Sequence, residues 1–291
     1  MQFNIRHRTT FEYEQLVSVA QHIMHLMPRD YEMQQRVAFA IHLDPEPSLQ
    51  SLSQDYFGNW VHYMSLYEPH EHLIVESRAR VDVLDQQPGL DAGAGRPWED
   101  VASDLARSAA GALDASRFAF ASPYIVTTPE IREYALASFT PNRPIFEATV
   151  DLTNRIFTEF EYQGGVSDVS TPVTEVLAMK KGVCQDFAHL EIACLRSLGL
   201  AARYVSGYIL THPPEGQEKL VGADASHAWL SMWAGDGLWI DFDPTNNVVP
   251  RGEHITIGWG RDYGDVSPIN GCIVGGGAHE VTVGVDVTLV S

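Results

Sequence analysis

The stretch that decides the fold is Lys181-Gly182-Val183-Cys184-Gln185-Asp186-Phe187-Ala188-His189-Leu190. It predicts a short glycine-containing loop that turns directly into a helix with a cysteine on its first turn. Apolar residues then recur with the spacing of one buried helical face, and Gly199 supplies a stop signal. The members of this apolar stripe are Phe187, Leu190, Cys194 and Leu198.

Cys184 lies one residue away from the apolar stripe, so we expect it at the edge of the core. The first turn of a helix carries partial positive charge and unpaired N–H groups, which favour the thiolate form of a cysteine there. A small buried hydrophobic residue is the alternative, since free cysteine is among the most buried residue types. The residues downstream of the helix favour the reactive thiol.

The overall composition is that of a globular protein with an acidic surface. The chain has 291 residues, of which 45% are hydrophobic and 20% are charged. The 19 Lys and Arg residues face 38 Asp and Glu residues, which gives a formal net charge of −19. Such a surface repels phosphate backbones and anionic lipid, so we expect neither nucleic acid nor a membrane as a partner.

Cysteine usage and the start of the chain favour a cytoplasmic location. The three cysteines, Cys184, Cys194 and Cys272, do not make a disulfide framework. The first residues have no apolar core of a signal peptide, and no later run has the length of a membrane span. The spacing His22-x-x-His25 has no third ligand type nearby, so we predict no metal site and no cofactor.

The hydrophobic periodicity changes along the chain and divides it into two domains. Residues 1–84 alternate between apolar and polar in several runs, which predicts an antiparallel β-sandwich. Residues 85–97 are rich in Gly and Pro and are typical of a linker. Residues 98–291 begin with helices, opened by Thr128-Pro129, Pro144 and Thr171-Pro172, and end with strands. The predicted class is therefore α+β.

A hairpin after the cysteine helix predicts a second functional element. Its arms, residues 226–233 and 238–243, flank Gly235-Asp236-Gly237, and a register that buries both apolar sets puts His227 and Asp243 on the opposite face. With a three-residue turn they are directly opposite or one diagonal step apart, about 5–8 Å between Cβ atoms. An ordinary cross-strand pair is the alternative interpretation of this pattern.

Cysteine, histidine and aspartate in this arrangement have the chemistry of acyl transfer. A carboxylate that binds one imidazole nitrogen fixes the tautomer and leaves the other nitrogen for a thiol. Cys184, His227 and Asp243 then form a nucleophile, a base and an orienting group. Asp241 shares the face of His227 and Asp243, so periodicity alone does not choose between the two carboxylates.

The chain resembles the transglutaminase-like superfamily, which comprises papain-related thiol enzymes with the order Cys, His, Asp. The matching stretches are residues 182–189, 226–229 and 241–246. The resemblance implies a papain-like core in which Cys184 is the nucleophile, His227 its base and Asp243 the orienting residue, whereas Asp241 matches no family role. Residues 55–60 and 260–263 also look like the bacterial branch, which carries a β-sandwich before the core and includes cysteine proteases.

The donors that would stabilise an oxyanion are the Cys184 backbone N–H and the Tyr162 hydroxyl. A helix N-terminus directs donors to developing negative charge, which favours the first. The animal enzymes of the family use an indole N–H as the second donor, and this sequence has no tryptophan at the matching place. Tyr162 lies just before the core loop, and a buried structural tyrosine is the alternative.

The expected activity is attack of Cys184 on a peptide or amide substrate to give a thioester acyl-enzyme. Water is the default acceptor, so hydrolysis is favoured over transfer to an amine, which would make the protein a transglutaminase. An inactive peptide-binding scaffold is a third alternative. The complete set of three residues argues against it, since a scaffold has no need of them.

Overall fold

The computed structural model describes residues 1–85, 95–107, 111–211 and 226–290. It has an α+β architecture, in which a strand-rich antiparallel region precedes helices and a second antiparallel sheet. This confirms the predicted class. Among the described residues, no helix combines the length and the hydropathy needed to cross a bilayer.

The N-terminal region contains five antiparallel strands in the order β2-β5-β1-β4-β3. The two halves of the long first strand pair with different neighbours, and apolar side chains from both halves pack into one cluster. The N-terminal region is therefore an antiparallel, strand-rich unit with an apolar cluster of its own. The strands are β1 Gln2–Met24, β2 Gln34–Asp44, β3 Leu49–Gln54, β4 Trp60–Leu66 and β5 His70–Val83.

Helices and two very short strands follow. Thr128 caps the third helix by accepting a hydrogen bond from the Ile131 N–H at 3.4 Å, as the Thr-Pro pair predicts. The elements are α1 Trp98–Ala106, α2 Leu113–Ser116, α3 Pro129–Leu136, α4 Ile145–Glu159, β6 Glu161–Tyr162, α5 Val173–Met179, β7 Lys181–Gly182 and α6 Cys184–Ser197. Of the predicted linker, residues 86–94 lie outside the described residues. Its end is anchored, since the Ile145 N–H donates to the Arg96 carbonyl at 2.8 Å.

The second sheet lies beside α6 and has the order β10-β9-β8-β11, with every neighbouring pair antiparallel. Its strands are β8 Ala202–Ile209, β9 Ser226–Gly235, β10 Leu238–Phe242 and β11 His254–Gly260. The strands β9 and β10 are the predicted hairpin.

Helix α6 is more deeply buried than one apolar stripe predicts. The stripe residues are buried, but so is every residue from Asp186 to Arg196. Helices pack on one side of α6 and the strands β8 and β9 on the other, so polar side chains of the helix are enclosed as well. Arg196 is satisfied there by the carbonyl oxygens of Phe118, Ala202 and Arg261.

The last two strands do not belong to the core that contains α6. Strands β12 Ile269–Gly275 and β13 His279–Leu289 both pair with β1 and complete the first sheet, which then has seven strands. The predicted boundaries assigned these residues to the catalytic core, and at this end they need correction. Alternation along the sequence predicts a half-buried strand, but it contains no information about a partner more than 250 residues away.

The two sheets share an apolar interface. It combines residues of β1, β5 and β13 with residues of β8 and β11. These side chains are almost completely buried, so the N-terminal region covers one face of the second sheet. The members are Phe3, Ile5, Val81, Val83, Tyr208, Ile255, Ile257, Val285 and Val287.

The buried carboxyl group of Glu191 makes stability depend on pH. Glu191 is 0% exposed, and its only hydrogen bond within the described ranges is with the Thr153 hydroxyl at 2.7 Å. Burial raises the pKa of Glu191 to about 8, whereas an unfolded glutamate titrates near about 4.3. The folded state therefore holds an extra proton between these values, and stability falls as the pH rises through this window.

Glu191→Gln should reduce the loss of stability between these pH values, because the amide does not titrate. We expect the melting temperature of the wild type to drop by several degrees more than that of the variant between about pH 5 and pH 8. Thermal unfolding followed by circular dichroism measures it. Glu133→Gln, at an exposed position of α3, is the control and should keep the wild-type slope. Parallel curves for the wild type and Glu191→Gln would contradict the assignment.

Candidate active site

The loop before Cys184 is fixed by a buried carboxylate. Asp186 Oδ2 accepts hydrogen bonds from the Val183 N–H at 2.8 Å and from the Ser167 hydroxyl at 2.5 Å. A Cβ atom on Gly182 would lie only 2.7 Å from the same oxygen, so glycine is required there. This arrangement holds Cys184 at the first position of α6, where its side chain is half-buried.

The hairpin places His227 and Asp243 by a slightly different turn from the predicted one. Asp236 and Gly237 have φ values of 50° and 79°, which is a two-residue turn of the primed type rather than three residues. A register shift between Leu238 and Trp239 compensates for the shorter turn, so the residues beyond it pair as they would with a three-residue turn. Asp241 pairs with Ser231, so Asp243 and His227 are one diagonal step apart, which is one of the two predicted arrangements.

His227 and Asp243 form a buried hydrogen-bonded pair. The distance between His227 Nε2 and Asp243 Oδ2 is 2.7 Å, and the side chains are 8% and 0% exposed. Because Nε2 is bound to the carboxylate, Nδ1 is the nitrogen that remains for the thiol of Cys184. His227 is also hydrogen-bonded to Cys184, so the structure brings Cys184, His227 and Asp243 together.

The electrostatics of the pair favour a charged imidazole. Burial opposes the charge, but the hydrogen bonds to Asp243 and Cys184 outweigh it and raise the pKa of His227 to about 10. Burial likewise acts against the charge of Asp243, but its bonds to His227 and His254 keep the pKa of this carboxyl well below its usual range. The structure therefore places a charged imidazole next to the thiol of Cys184.

Asp243 is surrounded by hydrogen-bond donors that the sequence analysis did not identify. Its Oδ1 accepts from the backbone N–H groups of Thr245 at 2.9 Å and Asn246 at 3.2 Å. Its Oδ2 accepts from Asn246 Nδ2 at 2.7 Å and from His254 Nε2 at 2.9 Å. Asn246 lies in the 241–246 stretch that carries the family resemblance, and its position after an Asp-Pro turn could have indicated a role beside Asp243. No pattern in the sequence indicated His254.

Asp241 has a different partner. Its Oδ2 accepts a hydrogen bond from the Trp229 indole N–H at 3.0 Å. The Trp229 ring in turn stacks on His227 with 6.0 Å between ring centroids. Asp241 therefore binds Trp229, whereas Asp243 binds His227, and the two carboxylates that periodicity left equivalent are distinct in the structure.

Tyr162 is exposed beside the cysteine helix. The short parallel ladder of β6 and β7 pairs Tyr162 with Gly182, and the side chain is 58% exposed. Partial burial raises the pKa of the Tyr162 hydroxyl, and the electrostatic effect of Cys184 adds to this rise. The two side chains therefore lie within electrostatic reach of each other. The alternative of a buried structural tyrosine is therefore wrong, while the role in an oxyanion hole stays a prediction.

One group of potential metal ligands includes two of the proposed catalytic residues. Within the described ranges, ligand atoms of His227, Asp243 and His254 lie within 4.8 Å of one another. The two His–Asp distances, 2.7 and 2.9 Å, are those of hydrogen bonds. A tetrahedral zinc ion with bonds of about 2.0–2.1 Å keeps its ligand atoms about 3.3 Å apart. The geometry fits shared protons better than an ion.

Two family models match the chain. One is described as "Bacterial transglutaminase-like N-terminal region" and matches residues 3–82, and the other as "Transglutaminase-like superfamily" and matches residues 134–244. Uncharacterized protein Rv2569c of Mycobacterium tuberculosis is 42% identical over 98% of this chain and 92% of its own. Uncharacterized protein ML0607 of Mycobacterium leprae is 31% identical over 97% and 96%.

A crystal structure and a named enzyme add to these similarities. The fold resembles the "Putative Cysteine Protease from Cytophaga hutchinsonii" with a TM-score of 0.75 and 23% identity, over 99% of this chain and 90% of that one. A protein-glutamine gamma-glutamyltransferase of Pseudomonas aeruginosa is 35% identical over 73 residues, which are 25% of this chain and 11% of that protein.

Selective alkylation tests the environment of the thiols. We expect iodoacetamide near neutral pH to modify Cys184 much faster than the other cysteines, because Cys184 has His227 as an imidazole partner. Cys194 is 0% exposed, and burial raises the pKa of its thiol. Cys272 is exposed and serves as the internal control for access alone. Peptide mass mapping after timed quenching measures the three rates, and equal rates at Cys184 and Cys272 would contradict an activated thiol.

Proposed function

Since the chain belongs to the transglutaminase-like superfamily, we propose that it is a thiol acyl-transfer enzyme with Cys184 as the nucleophile. The observation that carries the proposal is the buried 2.7 Å bond between His227 and Asp243, which leaves the other imidazole nitrogen for Cys184. A scaffold that only binds peptides would not need a buried ionised carboxylate behind a half-buried thiol. We therefore set that alternative aside.

The first half-reaction forms a thioester. The Cys184 thiolate attacks the carbonyl carbon of a peptide or amide, and the oxygen takes the negative charge in a tetrahedral intermediate. The Cys184 N–H and the Tyr162 hydroxyl are the proposed donors to this oxygen. The imidazolium of His227 gives its Nδ1 proton to the departing nitrogen, the C–N bond breaks, and an amine and the acyl-enzyme remain.

The second half-reaction releases the acyl group. His227, now neutral, accepts a proton from the incoming nucleophile, which attacks the thioester carbon and expels the Cys184 thiolate. Throughout this cycle Asp243 remains ionised, holds the imidazole in one tautomer and stabilises its charged form. The residues described here serve water and an amine equally well as acceptors.

Hydrolysis of a peptide or amide bond is the proposed outcome. Water is abundant and needs no binding site, whereas transfer to an amine requires that the thioester be protected from water. Transamidation of protein glutamine is the second candidate, and the relative from Pseudomonas aeruginosa favours it. The proposed location is cytoplasmic, since none of the three cysteines is in a disulfide.

Mass spectrometry of the intact protein tests the reaction and identifies the acceptor. Incubation with an activated acyl donor should add one acyl group, and peptide mapping should place it on Cys184. Release as the free acid alone supports hydrolysis, and release as an amide when a primary amine is added supports transamidation. The matched control is Cys184→Ala, which should stay unmodified. Acylation of that variant to the same extent would overturn the proposal.

Exchange of the two carboxylates for amides separates their roles. Asp243→Asn should reduce turnover by roughly 10²–10⁴, because tautomer control and imidazolium stabilisation are lost while the side-chain shape is kept. Asp241→Asn should cost much less, because Asp241 contacts Trp229 instead of His227. Turnover of a chromogenic ester or amide by both variants provides the measurement, with Cys184→Ala as the background. A larger loss in Asp241→Asn would show that the wrong carboxylate has been assigned.

A further inference from the structure

His254 is a buried histidine, and its only hydrogen bond to another described residue is with the proposed catalytic aspartate. Its Nε2 lies 2.9 Å from Asp243 Oδ2, and the residue is 8% exposed. Its other nitrogen, Nδ1, is buried and has no hydrogen-bond partner in the part of the chain that the structure describes. The mechanism described above does not use this residue, although it contacts the same oxygen as His227.

The carboxylate partner of His254 fixes which ring nitrogen is the donor. An ionised carboxylate only accepts hydrogen bonds, so the His254 nitrogen beside Asp243 Oδ2 must carry a hydrogen, and this nitrogen is Nε2. The Nε2–H group of His254 is therefore directed at Asp243.

We propose that His254 is a second positioning residue of the active site, which holds Asp243 Oδ2 and shares its negative charge with His227. This inference rests on the proposed function. A carboxylate oxygen with additional donors attracts the His227 proton less strongly, since its charge is already partly compensated. His227 then stays acidic enough to give its other proton to the leaving nitrogen, while Asp243 still fixes the tautomer.

Neighbouring rings fix the orientation of His254. The ring meets the Trp229 indole edge-on, with 5.1 Å between centroids and 82° between planes. The indole ring of Trp229 lies against Gly207 of β8, where a Cβ atom would come within 2.6 Å of the ring. A glycine at this position therefore leaves room for the indole. The same Trp229 stacks on His227. One tryptophan therefore aligns both imidazoles that bind Asp243.

The N-terminal region fixes the strand that carries His254. Two residues further along β11, the Thr256 N–H donates to Gln34 Oε1 at 2.8 Å, and Gln34 Nε2 donates back to the Thr256 carbonyl at 2.7 Å. Asn59 forms the same reciprocal pair with the backbone of Trp259, at 3.0 and 2.9 Å. Both side-chain amides bind the backbone of β11 in the way that the backbone of a neighbouring strand would. The N-terminal region therefore sets the position of β11, and through it that of His254.

Other ionisable groups surround the Asp243 site on several sides and remain unchanged in the variants used below. From the helix side, Cys184 acts on His227, and Glu191 is within electrostatic reach of Asp243. From the opposite side, His254 lines a cavity of about 490 Å³ together with Tyr31, Arg203 and Asp241. A shift in the titration of His227 that appears when His254 is substituted therefore reports on His254.

The test is the pH dependence of Cys184 alkylation by iodoacetate, which needs no knowledge of the substrate. This anionic reagent reacts more slowly once His227 loses its positive charge, so the alkaline limb of the profile reports on His227. We expect His254→Phe, which keeps a ring but has no donor, to move this limb upward by about half to one pH unit. His254→Gln, whose amide can replace the Nε2–H donor, should keep the wild-type limb.

Turnover of two substrates provides a second readout. A less acidic imidazolium is a poorer proton donor, so His254→Phe should slow a p-nitroanilide by about tenfold or more, and a p-nitrophenyl ester much less. A residue that only supports the fold would slow both substrates equally. An alkaline limb that stays in place or moves downward in His254→Phe, or equal losses on both substrates, would overturn the inference.

Two further measurements cover the case in which His254→Phe does not fold. In the wild type, imidazole ¹⁵N shifts should show that Nε2 of His254 carries a hydrogen, and an Nε2 without one would contradict the inference. Gln34→Met removes both bonds to Thr256 and should shift the alkaline limb in the same direction by a smaller amount. Gln2→Met, which removes a bond to Asp82 at 2.8 Å, is the matched control and should leave the limb unchanged.

These experiments separate the two proposals. If Cys184 of the wild type reacts like an ordinary thiol and forms no acyl-enzyme, the proposed function fails and the role of His254 fails with it. If Cys184 is activated and acylated but the His254 and Gln34 variants behave like the wild type, only the role of His254 is wrong.

Discussion

The rest of the site depends on a single carboxylate that is completely buried and yet charged. Without donors, burial of Asp243 would strongly favour its neutral form. Four residues supply these donors: His227 on β9, Thr245 and Asn246 after β10, and His254 on β11. The strands and the turn must come together in one arrangement for all these bonds to form. The same arrangement directs the free nitrogen of His227 toward Cys184.

The strand β11 connects this site to the N-terminal region. One of its faces takes part in the apolar interface with β1, β5 and β13, and its backbone is bound by Gln34 and Asn59. Because β13 returns to pair with β1, the first and the last described strands lie in the same sheet, and the helical core is inserted between them in the sequence. The N-terminal region is therefore part of the structural support of the site.

Helix α6 provides the other half of the site and has to be rigid for the same reason. Cys184 is its first residue, and a displacement of the helix by about 1 Å would misalign the thiol relative to the imidazole. The helix is buried on all sides, its start is fixed by Asp186, and its end by the bonds of Arg196 to three carbonyl groups. The neutral form of Glu191 belongs to this enclosed environment, and it connects the packing of the helix to pH.

The sequence by itself determined what depends on neighbouring residues. The helix starts at Pro129 and Cys184, the hairpin around Asp236, and the common face of His227 and Asp243 follow from local periodicity and turn chemistry, which act over a few residues. Family resemblance added the choice of Asp243 over Asp241. Only the tertiary structure decided the partners of Asp243 and the sheet to which the last strands belong. His254 looks like any histidine at the start of a strand, and β13 like any alternating strand. Their roles come from contacts between distant segments, which leave no local pattern.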